Sequence, residues 1–141
     1  MGLNIELLRT SFKMVSPKAE ELSERFYQIL FENNPELKPL FSKTNMKIQQ
    51  KMLIEALATV MDLLDSPDKL KSLLFDMGRK HRGYGAVEEH FPAVGQALLK
   101  ALAEIAGPAW NKELETAWAE AYGAIAGMMI EGLKAEEPVK V

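Results

Sequence analysis

Hydrophobic residues recur along this chain at helical spacing. Ile5, Leu8, Phe12 and Val15 form one apolar stripe, which Ser16-Pro17 ends. The same pair opens the next stripe, with Ser16 as N-cap and Pro17 as first helical residue. Ala19, Leu22, Phe26, Ile29 and Leu30 carry that stripe to Asn33-Asn34-Pro35. The segment PELKPLF is too short and too proline-rich for a long helix and predicts a tight corner ending in Phe41. From about residue 45 to about 64 the inward line is Gln49, Leu53, Ala56, Leu57, Val60 and Leu64. Ser66-Pro67 opens another helix, with Leu70, Leu73, Leu74 and Met77 facing in, and Gly83 and Gly85 end it. Pro92 starts the next, through Val94, Leu98, Leu102 and Ile105 to Gly107-Pro108. The last runs from about 110 to 134 through Leu114, Trp118, Ala121, Ile125, Met128 and Met129. No run of four or more residues alternates with period two, so the expected fold class is all-α, about six main helices plus a short corner helix.

Three polar side chains fall on these inward lines. The stripe 70, 73/74, 77 puts its next inward position at 81, which His81 occupies close to a helix end. A neutral imidazole there is a good iron ligand, and its second nitrogen can bond a backbone carbonyl. A lone inward histidine is more often a satisfied core residue. Gln49 reads either as a helix-start residue at the edge of the core or as a binding group. Tyr27, beside the Phe26 stripe and one turn from Ser23 and Phe31, reads as a packed phenol whose hydroxyl needs a partner. Together they supply one metal ligand and two hydrogen-bonding groups from three helices, among apolar walls, which is what a ligand site between helices requires. The second histidine, His90, falls in the connection before Pro92, and its separation from His81 does not match a two-histidine helical metal site.

Composition narrows the choice. The 141 residues predict one domain, 1–141, with 136–141 as a frayed tail; 48% are hydrophobic and 26% charged. A net charge of −3 argues against nucleic acid as a partner. The chain has no cysteine, which excludes disulfides and thiol chemistry. No apolar run reaches the roughly 20 residues that span a bilayer, and the N-terminus lacks a signal-peptide pattern, so a cytoplasmic protein without a membrane is the expectation. Glu6 stands where a myristoylation pattern needs Ser or Thr. Gly83-Tyr84-Gly85 is followed by Glu88 and so fails the dinucleotide fingerprint.

Several segments, in order, carry a resemblance: FYQILF at 26–31, PLF at 39–41, QQKML at 49–53, GRKHRGYG at 78–85, HFPAVGQALL at 90–99 and AWAEAYG at 117–123. With these the chain, from about residue 5 to 134, resembles the globins, in particular single-domain bacterial haemoglobins and the haem domain of flavohaemoglobins. The resemblance implies one globin domain around haem b, with His81 as proximal iron ligand. It implies Phe41 as the aromatic wedged against the porphyrin, and Tyr27 and Gln49 as the distal groups that stabilise bound ligand. Leu53, Met77, Phe91 and Val94 match further haem contacts. Lys80 or Arg82 matches a propionate partner or is plain solvated charge. The implied function is reversible binding of oxygen, and of NO or CO, for storage, delivery or scavenging. The implied iron has its sixth position open or held by water, because Gln49 replaces a distal histidine; Met52 packs nearby or ligates through sulfur.

Two departures bear on activity. Flavohaemoglobins place a tyrosine and a glutamate behind the proximal histidine, where this chain has Phe91 and Leu133; Glu131 is out of register and should face another way. They also carry a flavin- and NAD(P)H-binding reductase after the globin, whereas this sequence stops at Val141. NO dioxygenation or nitrite chemistry is therefore the alternative and would need a separate reductase. A haem-free interaction module is the third reading. Oligomeric state stays open.

Overall fold

The computed structural model describes residues 4–83 and 87–134. Among these residues six α-helices follow one another: α1 Ile5–Val15, α2 Ala19–Asn33, α3 Met46–Leu63, α4 Pro67–Gly83, α5 His90–Ala106 and α6 Lys112–Lys134. Short 3-10 turns lie at Ser16–Lys18, Pro35–Phe41 and Gly107–Ala109, and the described residues contain no strand. The expected all-α class and the corner ending at Phe41 are what the structure shows. Tyr84, Gly85 and the tail from residue 135 lie outside the described residues.

Asparagine side chains start three of the helices. Asn4 Oδ1 accepts from the Leu7 amide at 3.1 Å, Asn45 Oδ1 from Lys47 and Ile48 at 3.0 and 3.3 Å, and Asn111 Oδ1 from Leu114 at 2.9 Å. Each satisfies backbone donors that have no partner inside the first helical turn. Gly107, with φ of 61°, ends α5 in a conformation that side chains disfavour.

Three helix starts differ from the sequence reading. Ser16 is not an N-cap: its hydroxyl donates to the Lys13 carbonyl at 3.0 Å, and a 3-10 turn leads directly into α2. α5 begins at His90 rather than Pro92, because a proline is tolerated anywhere in a first turn whose amides need no helical acceptor. His90 is consequently a helix residue, and its Nδ1 accepts from the Val87 amide at 3.2 Å. α6 begins at Lys112, where the Asn111 cap sets it.

The helices pack in a way that holds α4 firmly. Its most extensive contact is with α6, and that of α2 is with α5. At the α4–α6 crossing, Gly78 lies against the backbone of Met129 and Gly132 against the backbone of Phe75, so that a methyl group on either would collide with main chain. α1 is tied to α6 through Trp118, whose indole N–H donates to Ser11 Oγ at 2.9 Å, both residues being buried. Arg9 ties α1 to the end of α3: its guanidinium donates to the carbonyls of Met61 and Asp62 and pairs with Asp65 at 3.2 Å. A cation beside a helix C-terminus meets the last carbonyls and the negative end of the helix dipole. By contrast, α3 meets α4 over only a short stretch.

Candidate functional site

The inward lines of α3 and α4 change character along their length. Leu57, Val60 and Leu64 are buried, as are Leu70 and Leu74 across from them. Further from the turn that joins the two helices, Gln49, Leu53 and Ala56 on α3 and Met77 and His81 on α4 are only half-buried. The pair of helices is sealed at one end and lined by apolar and polar side chains at the other.

On the α4 side, His81 Nδ1 lies 2.6 Å from the Met77 carbonyl oxygen. A carbonyl only accepts, so Nδ1 carries the hydrogen, and in the neutral ring the lone pair is then on Nε2. That is the tautomer a metal ligand needs, fixed by the residue one helical turn back. The α4–α6 glycine contact sits three residues before His81 and fixes the helix that presents it.

On the other side, α2 and α3 converge. Gln49 Nε2 donates to the Tyr27 hydroxyl oxygen at 3.0 Å. The phenol therefore accepts from Gln49, and among the described residues its own hydrogen has no acceptor. Burial pushes the Tyr27 phenol above its ordinary value of 10.0, while the bond from Gln49 pulls the other way, so it stays protonated at neutral pH. Aromatic rings set its position: Phe26 stacks edge-on at 4.8 Å between centroids, Phe41 at 5.8 Å and Phe31, tilted, at 6.0 Å. Phe41 and Phe31 meet edge-on at 5.4 Å, so the corner segment is held against the site by the same cluster.

The remaining residues singled out in the sequence fall as follows. Leu53 and Val94 are half-buried. Phe91 differs in being buried in the core, and its carbonyl accepts from the Tyr122 hydroxyl at 2.6 Å. Lys80 is exposed and has no carboxylate partner among the described residues; the Arg82 side chain lies outside the described residues. Met52 does not pack inward: it is 51% exposed. Leu133 is buried in the same core as Phe91, and Glu131 is exposed, facing away as its register requires. The Tyr122 bond was not read from the sequence, since it joins residues 31 apart on different helices. Gly95 beneath it offers a faint signal: a methyl there would come within 2.6 Å of the Tyr122 ring.

Described residues include no group of three or more His, Cys, Asp or Glu side chains that would hold a bare metal ion. One imidazole, half-buried apolar side chains on neighbouring helices and a bonded phenol–amide pair suit a flat apolar group that brings its own metal. Haem has that form, and the donor set fits it.

The family model for globins matches residues 24–129. The chain belongs to the globin family. Among its curated relatives, a flavohemoprotein of Bacillus cereus is 38% identical over 128 residues, covering 89% of this chain and 31% of the relative. A flavohemoprotein of Rhodopirellula baltica is 34% identical over 94% of the chain and 34% of its own length. This globin thus spans about a third of the curated relatives it matches. Of solved structures, a bacterial globin from Campylobacter jejuni superposes with a TM-score of 0.81 at 30% identity, covering 92% of this chain and 94% of that one. An engineered carbene transferase, made from a candidate nitric oxide dioxygenase of Rhodothermus marinus, gives 0.81 at 28% identity over 92% and 89%. Among the described residues no helix is long and apolar enough to cross a membrane.

Proposed function

We propose that this globin holds haem b through His81 Nε2 and binds oxygen reversibly, along with NO and CO, beneath Tyr27 and Gln49. The observation that carries the reading is the 3.0 Å bond from Gln49 to Tyr27. It occupies the phenol's acceptor side and leaves its hydrogen to donate. Haem iron, when bound, supplies reversible coordination of a diatomic gas. The chain supplies the rest. Met77 orients His81, Phe41 and Leu53 wall the pocket, and the buried phenol donates to a ligand that carries partial negative charge. One such hydrogen bond is worth roughly 1–3 kcal/mol, or about ten- to a hundredfold in ligand release. With haem bound, Gln49 would offer its iron an amide in place of a second imidazole.

The test is an absorption spectrum of the haem-loaded protein, oxidised, reduced, and reduced under CO. A Soret band that moves to a CO form, and is lost in His81→Ala until imidazole is added, supports the reading. A chain that refuses haemin overturns it.

A second reading, NO dioxygenation with electrons from a separate reductase, is favoured by the likeness to flavohemoproteins. Phe91 and Leu133 weigh against it, since neither side chain can hydrogen-bond behind His81. Steady NO consumption with a physiological reductant would establish it; oxygen affinity would not.

A further inference from the structure

Residues 37–54 carry four lysines, Lys38, Lys43, Lys47 and Lys51, and no aspartate or glutamate. The rest of a chain with net charge −3 therefore carries −7. All four lysines are exposed, and among the described residues none pairs with a carboxylate. Among the described residues, three of the five large apolar side chains that are exposed fall in the same segment: Leu40 at 42%, Ile48 at 58% and Met52 at 51%.

On α3 these residues form adjacent rows at i, i+4 spacing. Gln49 and Leu53 make the row that faces the candidate site. Ile48 and Met52 make the next row, beside it and exposed. Lys47 and Lys51 make the outermost row, which Glu55 ends one turn on, and Lys43 lies in the turn just before α3. An apolar strip bordered by unpaired cations is the make-up of a docking face. The apolar centre gives contact area and the charges select and steer the partner. Helix packing explains neither row, because both point away from the core.

We propose that this face of the corner and α3 docks a small acidic electron-carrier protein, with a flavin or iron–sulfur centre, that keeps the site reduced. The inference rests on the haem reading above for its purpose, and on the charge pattern for its location. A partner with an acidic patch complements a segment of charge +4 on a molecule whose remaining residues sum to −7. The same α3 supplies Gln49 and Leu53 to the site, so the docked partner meets the molecule one helix row from the pocket. The transfer moves one electron from the donor's reduced centre to ferric iron, leaving the donor oxidised by one electron and the iron ferrous.

The test uses reduced plant-type ferredoxin as the acidic probe. Amide chemical shifts of the 15N-labelled CO form, titrated with oxidised ferredoxin, should move at residues 38–54 and return as salt rises to about 0.3 M, where charges are screened within a few ångströms. Reduction of the ferric protein by reduced ferredoxin should slow about tenfold at low salt in K47E/K51E. The rate with dithionite should not change. I48S/M52S should weaken docking while keeping the salt dependence. Equal slowing in a control pair, K100E/K112E, would show that overall charge alone steers the donor and would overturn the face. So would shifts elsewhere or none at all. Shifts at 38–54 with phosphatidylglycerol vesicles and none with ferredoxin would replace the protein partner with an anionic membrane surface. A chain that takes up no haem overturns the function proposed above, whereas the shift map, repeated on that chain, still reports on the face.

Discussion

At the scale of single residues, the site depends on hydrogens placed by neighbours. Tyr27→Phe keeps the ring cluster and removes the donor, so oxygen should leave about ten- to a hundredfold faster in stopped-flow displacement by CO; an unchanged rate would remove Tyr27 from the role. Burial raises the phenols of Tyr27 and Tyr122 above 10.0, the more strongly for Tyr122. The unfolded chain releases those protons near pH 10 while the folded chain retains them. Their contribution is complete below about pH 10 and is lost as pH rises further. Denaturation midpoints followed from pH 8 to 11 should fall, and less steeply in Tyr122→Phe, which at pH 7 should already be about 1 kcal/mol less stable for loss of the bond to the Phe91 carbonyl. A fall of equal slope in the variant would exclude Tyr122 as a source. His81 and Gln49 stood out in the sequence because each puts a polar group on an apolar stripe, and Tyr27 because it lies beside one; their roles came from the resemblance. Ser11, buried between Leu8 and Phe12, gives the same signal, and its partner Trp118 lies 107 residues away, where spacing gives no guidance.

At the scale of elements, hydrophobic period located all six helices, since burial of one face is what stabilises a helix in a small domain. Their starts were less legible. Proline fixes φ without fixing how many residues precede it in the first turn, and this displaced the readings at Pro17 and Pro92. The α4–α6 crossing was not legible either: Gly78 and Gly132 look like weak helix positions until the other backbone is seen against each. Gly132→Ala puts a methyl into main chain that cannot yield as a side-chain tip can. It should cost about 1–3 kcal/mol in chemical denaturation, by overpacking. The variant should also lose haem to apomyoglobin faster than the parent, because the displaced helix carries His81. Loss of stability without faster haem loss would separate the crossing from the site, and no change in either would exclude the collision.

At the scale of the molecule, the proposed site belongs to no single helix: its residues come from α2, α3, α4 and the corner. Occupation should therefore stabilise the whole fold. At a haemin concentration a hundredfold above its dissociation constant the gain is about 2.7 kcal/mol, a rise of several degrees in melting temperature. His81→Ala should abolish most of that rise, and a rise that survives would place the ligand elsewhere. The two sides of the site are also unequally mounted. α4 bears on α6 through bare backbone, while α3 touches α4 only briefly and is held at its far end by Arg9. The proposed site is then gripped more firmly on its α4 side than on its α3 side. Whatever enters it meets an imidazole mounted on that backbone crossing, and an α3 whose near end carries Gln49, bonded to Tyr27, inward and its lysines outward. An event at the proposed site and an event on that surface thus bear on one helix.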